Sequence, residues 1–108
     1  MRQTYRQPVI TSYKLSRAAE KSLAEIVAYS DATFGAMQTA AYVAGLEASC
    51  TLLVSYPRIG SASFEIKAGL RRYRYQSHYI FYTEQGDHLL IEDLIHVRRN
   101  LRRDLFDT

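Results

Sequence analysis

The stretch "RYRYQSHYIFY", Arg72–Tyr82, decides how this chain is read. Tyr73 and Tyr75 alternate with Arg72 and Arg74, and after Gln76-Ser77 the alternation resumes with Tyr79 and Phe81 against His78, Ile80 and Tyr82. A period of two puts successive side chains on opposite faces of a strand. A two-residue link between two such runs makes an antiparallel hairpin. Composition alone also admits a basic, aromatic strand that grips and cuts RNA, so the surroundings must decide.

Downstream, Gln85-Gly86-Asp87 is a second short turn, and His88–Val97 is a third strand. Leu89, Ile91 and Ile95 alternate there with Leu90 and Leu94, so both faces are apolar and the strand is central. Leu70–Gln76, His78–Glu84 and His88–Val97 thus form a three-stranded antiparallel meander. "NLRRDLF" reads as a short amphipathic helix or tail.

Upstream, the period is helical. Ser16 is an N-cap, able to accept from a free N–H of the first turn. Ala19, Leu23, Ile26, Val27, Ser30 and Phe34 form one stripe, and Gly35 ends the helix by taking the left-handed conformation at no steric cost. A second helix runs from Ala36 to Ser55, with Val43, Leu46, Cys50 and Leu53 on its seam. Pro57 stops it. The single-residue link forces a helix hairpin. Pro57–Gly69 lacks a period and reads as a loop, and the second half of "VITSYKL" (Val9–Leu15) reads as a first strand.

The sum is one α+β domain spanning 1–108: an N-terminal strand, an antiparallel helix hairpin, then the meander, with the helices on one face of the sheet and the other face open. Residues 1–12 read as a loose extension and 100–108 as a C-terminal tail.

Composition limits the chemistry. Of 108 residues, 47% are hydrophobic and 23% charged, ordinary for a globular chain. The net charge of +3 is mild for a dedicated nucleic-acid binder. One cysteine, Cys50, forbids an internal disulfide and fits a reducing cytosol. Its seam position makes it a small core residue rather than a nucleophile. No apolar run reaches the roughly 20 residues of a membrane span, so the expectation is a cytoplasmic protein.

No phosphate-binding glycine loop, metalloprotease helix or nucleophile elbow is present. His78 and His96 can flank neighbouring strands, but two histidines without a third ligand make a poor metal site. Metal-free RNA cleavage needs a base, an acid and cations. Arg72, Arg74, His96, Arg98 and Arg99 can supply these if they meet at one end of the sheet. Otherwise they are solvated charges, and "RRNLRR" (Arg98–Arg103) is a protein-binding rim or a phosphate grip.

In order and spacing, these elements resemble the ParE toxins of the RelE/ParE superfamily. The resemblance rests on Leu15-Ser16, Ala19, Ile26 and Tyr29, then Phe34-Gly35, then Pro57, Ile59 and Gly60. It continues through Gly69, Arg71, Ser77, His78, Ile80, Phe81 and Tyr82 to Ile95, His96, Arg98 and Arg99, and covers residues 13–101. Two positions depart from the pattern: Ser22 stands where an acid is usual, and Asp93 where an arginine is common.

The resemblance implies the toxin half of a type II toxin–antitoxin pair. It implies a poison of DNA gyrase with no catalytic residues, no cofactor and no metal, neutralised by a ParD-like antitoxin whose C-terminal segment folds onto the toxin. Arg72, Arg74, His96, Arg98, Arg99, Arg102 and Arg103 are the expected target-binding residues. Tyr29, Tyr42, Leu46, Tyr73 and Tyr79 are the expected antitoxin contacts. Specific nucleic-acid binding and membrane association are not expected. The alternative is a ribosome-dependent mRNA endonuclease of RelE type. Such relatives usually show a heavier basic load and a catalytic set of arginine, lysine and a C-terminal tyrosine or histidine, whereas here Lys67 is the only lysine after residue 21 and no tyrosine follows Tyr82.

Overall fold

The computed structural model describes residues 9–101 and 103–106, the side chains of residues 103 and 104 excepted. Strand β1 (Ser12–Leu15) leads into helix α1 (Arg17–Phe34) and helix α2 (Ala36–Ser55). A two-residue strand β2 (Ser61–Ala62) precedes β3 (Arg71–Tyr75), β4 (His78–Gln85) and β5 (His88–His96), and a 3₁₀ turn spans Arg103–Phe106. The expected loose extension lies outside the described residues over 1–8.

Both helix ends follow from single residues. Ser16 Oγ accepts the Ala19 N–H at 3.0 Å and donates to the Glu92 carbonyl at 2.7 Å, so the cap also ties α1 to β5. Gly35 sits at φ 89°, ψ 169°. This is not the left-handed helical cap but a region open essentially to glycine alone. It lets one residue close α1 and open α2.

The sheet has five strands in the order β1-β5-β4-β3-β2. The meander is antiparallel as expected, and β1 joins it parallel to β5, with Ser12 opposite His88 and Leu15 opposite Ile91. At the β3–β4 turn Gln76 takes φ 48°, the positive value a two-residue hairpin requires. β2 was not expected; it pairs with Arg71 and Arg72 inside what reads as loop.

A β-bulge corrects the expected faces of β5. Phe81 pairs with Asp93, but Tyr82 pairs with Ile91, so one extra residue of β5 is accommodated. Strand parity flips there. Leu94 therefore joins Leu89 and Ile91 in the core under the helices, alongside Ala19, Leu46, Cys50, Leu53, Ile80 and Tyr82. Ile95 falls on the far face.

That far face is not open. Leu70, Phe81, Ile95 and Phe106 form a second buried cluster, with Leu101 and Leu105 packed against it. The Phe81 and Phe106 ring centroids are 5.0 Å apart. The tail read as amphipathic is thus the cover of the sheet's second face.

The loop after α2 is held by one phenol. Tyr82, fully buried, donates to the Pro57 carbonyl at 2.7 Å and accepts the Gly60 N–H at 3.0 Å. A Cβ on Gly60 would lie 2.4 Å from that oxygen, so position 60 must be glycine for the loop to close on it.

Candidate functional site

A concavity of about 600 Å³ opens where the tips of α1 and α2 overhang the β3–β4 turn and the end of β5. Its helix wall carries Ile26, Tyr29, Phe34 and Tyr42, and its sheet wall carries Ser77, His78, His96 and Arg99. Helical spacing puts Ile26 and Tyr29 on one side of α1, and Phe34 is the last residue of the helix, five positions beyond Tyr29. Tyr29 and Phe34 meet edge to face at 6.5 Å, yet remain 67% and 55% exposed. Met37, at the start of α2, is 88% exposed. Large apolar side chains clustered so openly call for a partner.

The sheet wall is built by register. His78 opposes His96 across β4 and β5, and their rings stand edge to face with centroids 5.3 Å apart. His78 Nδ1 lies 2.7 Å from the Tyr42 phenol oxygen. Burial, and then the neighbouring His96, push the His78 imidazole below its ordinary pKa; burial pushes the Tyr42 phenol above its own. The Tyr42 phenol oxygen also lies 3.5 Å from the Tyr75 carbonyl, to which it can donate. His96 Nδ1 accepts the Arg98 backbone N–H at 3.1 Å, which fixes the ring at the end of β5.

Residues expected to bind two different partners thus share one groove: Tyr29 and Tyr42 with His96 and Arg99. Others lie elsewhere. Leu46, expected as an antitoxin contact, is 3% exposed in the core beneath the helices and offers no surface. Tyr73 packs on the helix side of the sheet, whereas Tyr79 lies on the far face, so they do not form one surface. Arg72 stacks over the Tyr79 ring at 4.9 Å, and Arg74 donates to the Gln76 carbonyl at 2.9 Å. The sheet separates these two arginines from His96 and Arg99, so the five do not meet at one end of the sheet, as RNA cleavage would have needed. Arg98 is exposed beyond the end of β5. Arg102 and the side chain of Arg103 lie outside the described residues.

Sequence reasoning missed Ile26, Phe34 and His78 as parts of one site. The signal was present in the helical spacing of Ile26, Tyr29 and Phe34 and in the placement of His78 directly after the turn. Among the described residues no group of three His, Cys, Asp or Glu side chains is placed to hold a metal ion. No described helix is long and apolar enough to cross a membrane. Burial and the nearby Glu47 push the Cys50 thiol up to about 11, which makes it a poor nucleophile.

A family model described as the ParE toxin of the type II toxin–antitoxin system parDE matches residues 13–101. The chain is 33% identical over 93 residues to Toxin ParE1 of Caulobacter vibrioides, covering 86% of this chain and 96% of that protein. It is 32% identical over 94 residues to Toxin ParE1 of Mycobacterium tuberculosis, with the same coverage of 86% and 96%. With Toxin ParE of Escherichia coli it shares 30% over 99 residues, covering 91% and 96%. Among solved structures, a chain of the chromosomal ParDE TA system from P. aeruginosa superposes with a TM-score of 0.71 at 14% identity, over 83% of this chain and 98% of that one. At that identity the likeness is one of fold.

Proposed function

This chain belongs to the ParE toxin family of type II toxin–antitoxin systems, and on that premise we propose that it inhibits DNA gyrase in the cytoplasm and is neutralised by a ParD-like antitoxin. The antitoxin's C-terminal segment orders in the groove between the helix tips and the sheet, burying Tyr29, Phe34 and part of Tyr42. The observation that carries this reading is the exposure of the Tyr29–Phe34 pair on a concave surface. A segment disordered alone can bury such side chains as it folds on binding.

A non-enzymatic mode of action is favoured over RNA cleavage by where the cations lie. Arg72 and Arg74 stand on the sheet face away from His96 and Arg99, and Lys67 is held by Glu92 at 3.0 Å. Of the arginines expected to grip a phosphodiester, only Arg99 lines the groove beside His78 and His96, and Glu25 and the apolar helix wall stand across from it, a poor seat for a phosphate backbone. Purified protein added separately to a gyrase supercoiling reaction and to a translation reaction tests the choice. Loss of supercoiling with mRNA intact is expected; intact supercoiling with codon-dependent cuts in mRNA would replace this reading with the RelE-type endonuclease.

A further inference from the structure

The sheet wall of the groove is chemically more specific than an apolar docking surface. Because His96 Nδ1 accepts the Arg98 backbone N–H, the neutral ring carries its proton on Nε2. His78 Nδ1 is engaged by the Tyr42 phenol at 2.7 Å, which leaves Nε2 as the ring nitrogen open to a ligand. The result is a pair of adjacent imidazoles, each with Nδ1 engaged and no hydrogen bond at Nε2 among the described residues. Arg99 lines the same groove, and its guanidinium forms no ion pair among the described residues. Two imidazoles and one cation on a single wall describe a receptor for one small anion.

The opposite wall says which kind of anion. It is built from Ile26, Tyr29 and Phe34, and one carboxylate, Glu25, also lines the groove. A nucleic-acid backbone would set successive phosphates against apolar side chains and against Glu25. A peptide helix has no such difficulty. It brings side chains three and four positions apart to about 5–6 Å from one another, so an acid and an apolar anchor can address the two walls together.

We propose that His78, His96 and Arg99 seat one Asp or Glu side chain of the antitoxin segment, while an apolar residue one helical turn away packs among Ile26, Tyr29 and Phe34. The groove then selects an acid-plus-anchor pattern rather than hydrophobicity alone. This rests on the reading of the groove as the antitoxin's docking site.

The test is calorimetric titration of a purified ParD-like antitoxin into the wild type and into Arg99→Gln, His96→Ala and Tyr29→Ala. All three positions are exposed, so the variants are expected to melt as the wild type does. Arg99→Gln and His96→Ala should each weaken binding at least tenfold. Changing Asp or Glu to the amide, one position at a time in the antitoxin segment, should find one acid whose loss weakens binding to the wild type but not to Arg99→Gln. Unchanged binding to Arg99→Gln and His96→Ala, with Tyr29→Ala weakened, overturns the acid seat and leaves the docking reading intact. Unchanged binding to all three variants overturns the docking reading itself. A short single-stranded oligonucleotide that displaces the antitoxin from the wild type, but does not bind Arg99→Gln, reassigns the seat to phosphate.

Discussion

The Ser22 hydroxyl donates to Asp93 Oδ1 at 2.6 Å, joining α1 to β5 beside the bulge. The same carboxylate oxygen accepts the Leu94 N–H at 2.8 Å. These are the two positions at which the chain departs from the family pattern, which has an acid on the helix and commonly an arginine on the strand. Taken singly, each departure removes a charge the pattern supplies. Together they make one bond between helix and strand. Hydrogen bonds to charged groups contribute about 1.5–3 kcal/mol, less where solvent reaches them. Ser22→Ala is expected to cost about 1 kcal/mol in urea denaturation. Ser22→Asp should cost more, since it sets two carboxylates at one contact. In a double-mutant cycle, Ser22→Ala should have little effect once Asp93 is alanine. Additivity within about 0.3 kcal/mol would mean that the contact carries no energy.

Gly45 lies in the interior of α2, where alanine is normally better by about 1 kcal/mol. Here a Cβ would stand 1.8 Å from the Tyr75 phenol oxygen. Tyr75 packs on the helix side of the sheet, and its ring lies 5.0 Å from that of Tyr42. Gly45→Ala must push Tyr75 off both. The expected result is a net loss of about 1–2 kcal/mol, in the range of overpacked sites, measured by chemical denaturation. In a Tyr75→Ala background the sign should reverse, because only the helix preference then remains. Stabilisation by Gly45→Ala in the otherwise unchanged chain would show that Tyr75 moves freely.

Much of this was legible in residue patterns, because the signals were local. Ser16, Gly35 and Pro57 marked the helix limits, and alternation around Gln76-Ser77 gave the hairpin. What escaped was set by distant partners. The bulge has no glycine to announce it; it exists because Tyr82 must pair with Ile91 while Phe81 pairs with Asp93. Strict alternation therefore put Leu94 on the wrong face. β2 is two residues long and becomes a strand only where β3 receives it. Phe106 looked like tail because nothing nearby in sequence covers it; its partner, Phe81, is on β4. The site behaved likewise. Tyr29, Tyr42, His96 and Arg99 were recognisable singly, but their grouping into one groove depends on how the helix tips sit over the sheet.

His78 gives stability a dependence on pH. Burial, and then His96, hold its folded pKa below the ordinary imidazole value of about 6.5. Between those two values the unfolded chain binds more protons than the folded one, so stability falls as pH drops below about 6.5. The loss is complete once pH is below the folded value. Ordinary carboxylates titrate near 4, lower than this window. The urea midpoint of the wild type should therefore decline from pH 7 to pH 5, and that of His78→Gln should decline less. Parallel curves for the two proteins would remove His78 as the cause.

Arg98 and Arg99 separate toxicity from folding. Both are exposed, and neither side chain forms an ion pair among the described residues. Surface changes of this kind usually stay within about 0.5 kcal/mol, whereas Leu46→Ala in the core should cost about 2–5 kcal/mol. If these arginines meet the target, Arg98→Ala and Arg99→Ala will relieve growth arrest in cells expressing the toxin without antitoxin, while thermal melts stay near the wild type. The two should then diverge when antitoxin is present. Arg99 lines the groove and Arg98 does not, so only Arg99→Ala should also need more antitoxin to be silenced, per unit of remaining toxicity. Melting temperatures lowered as far as that of Leu46→Ala would assign both arginines to the fold instead.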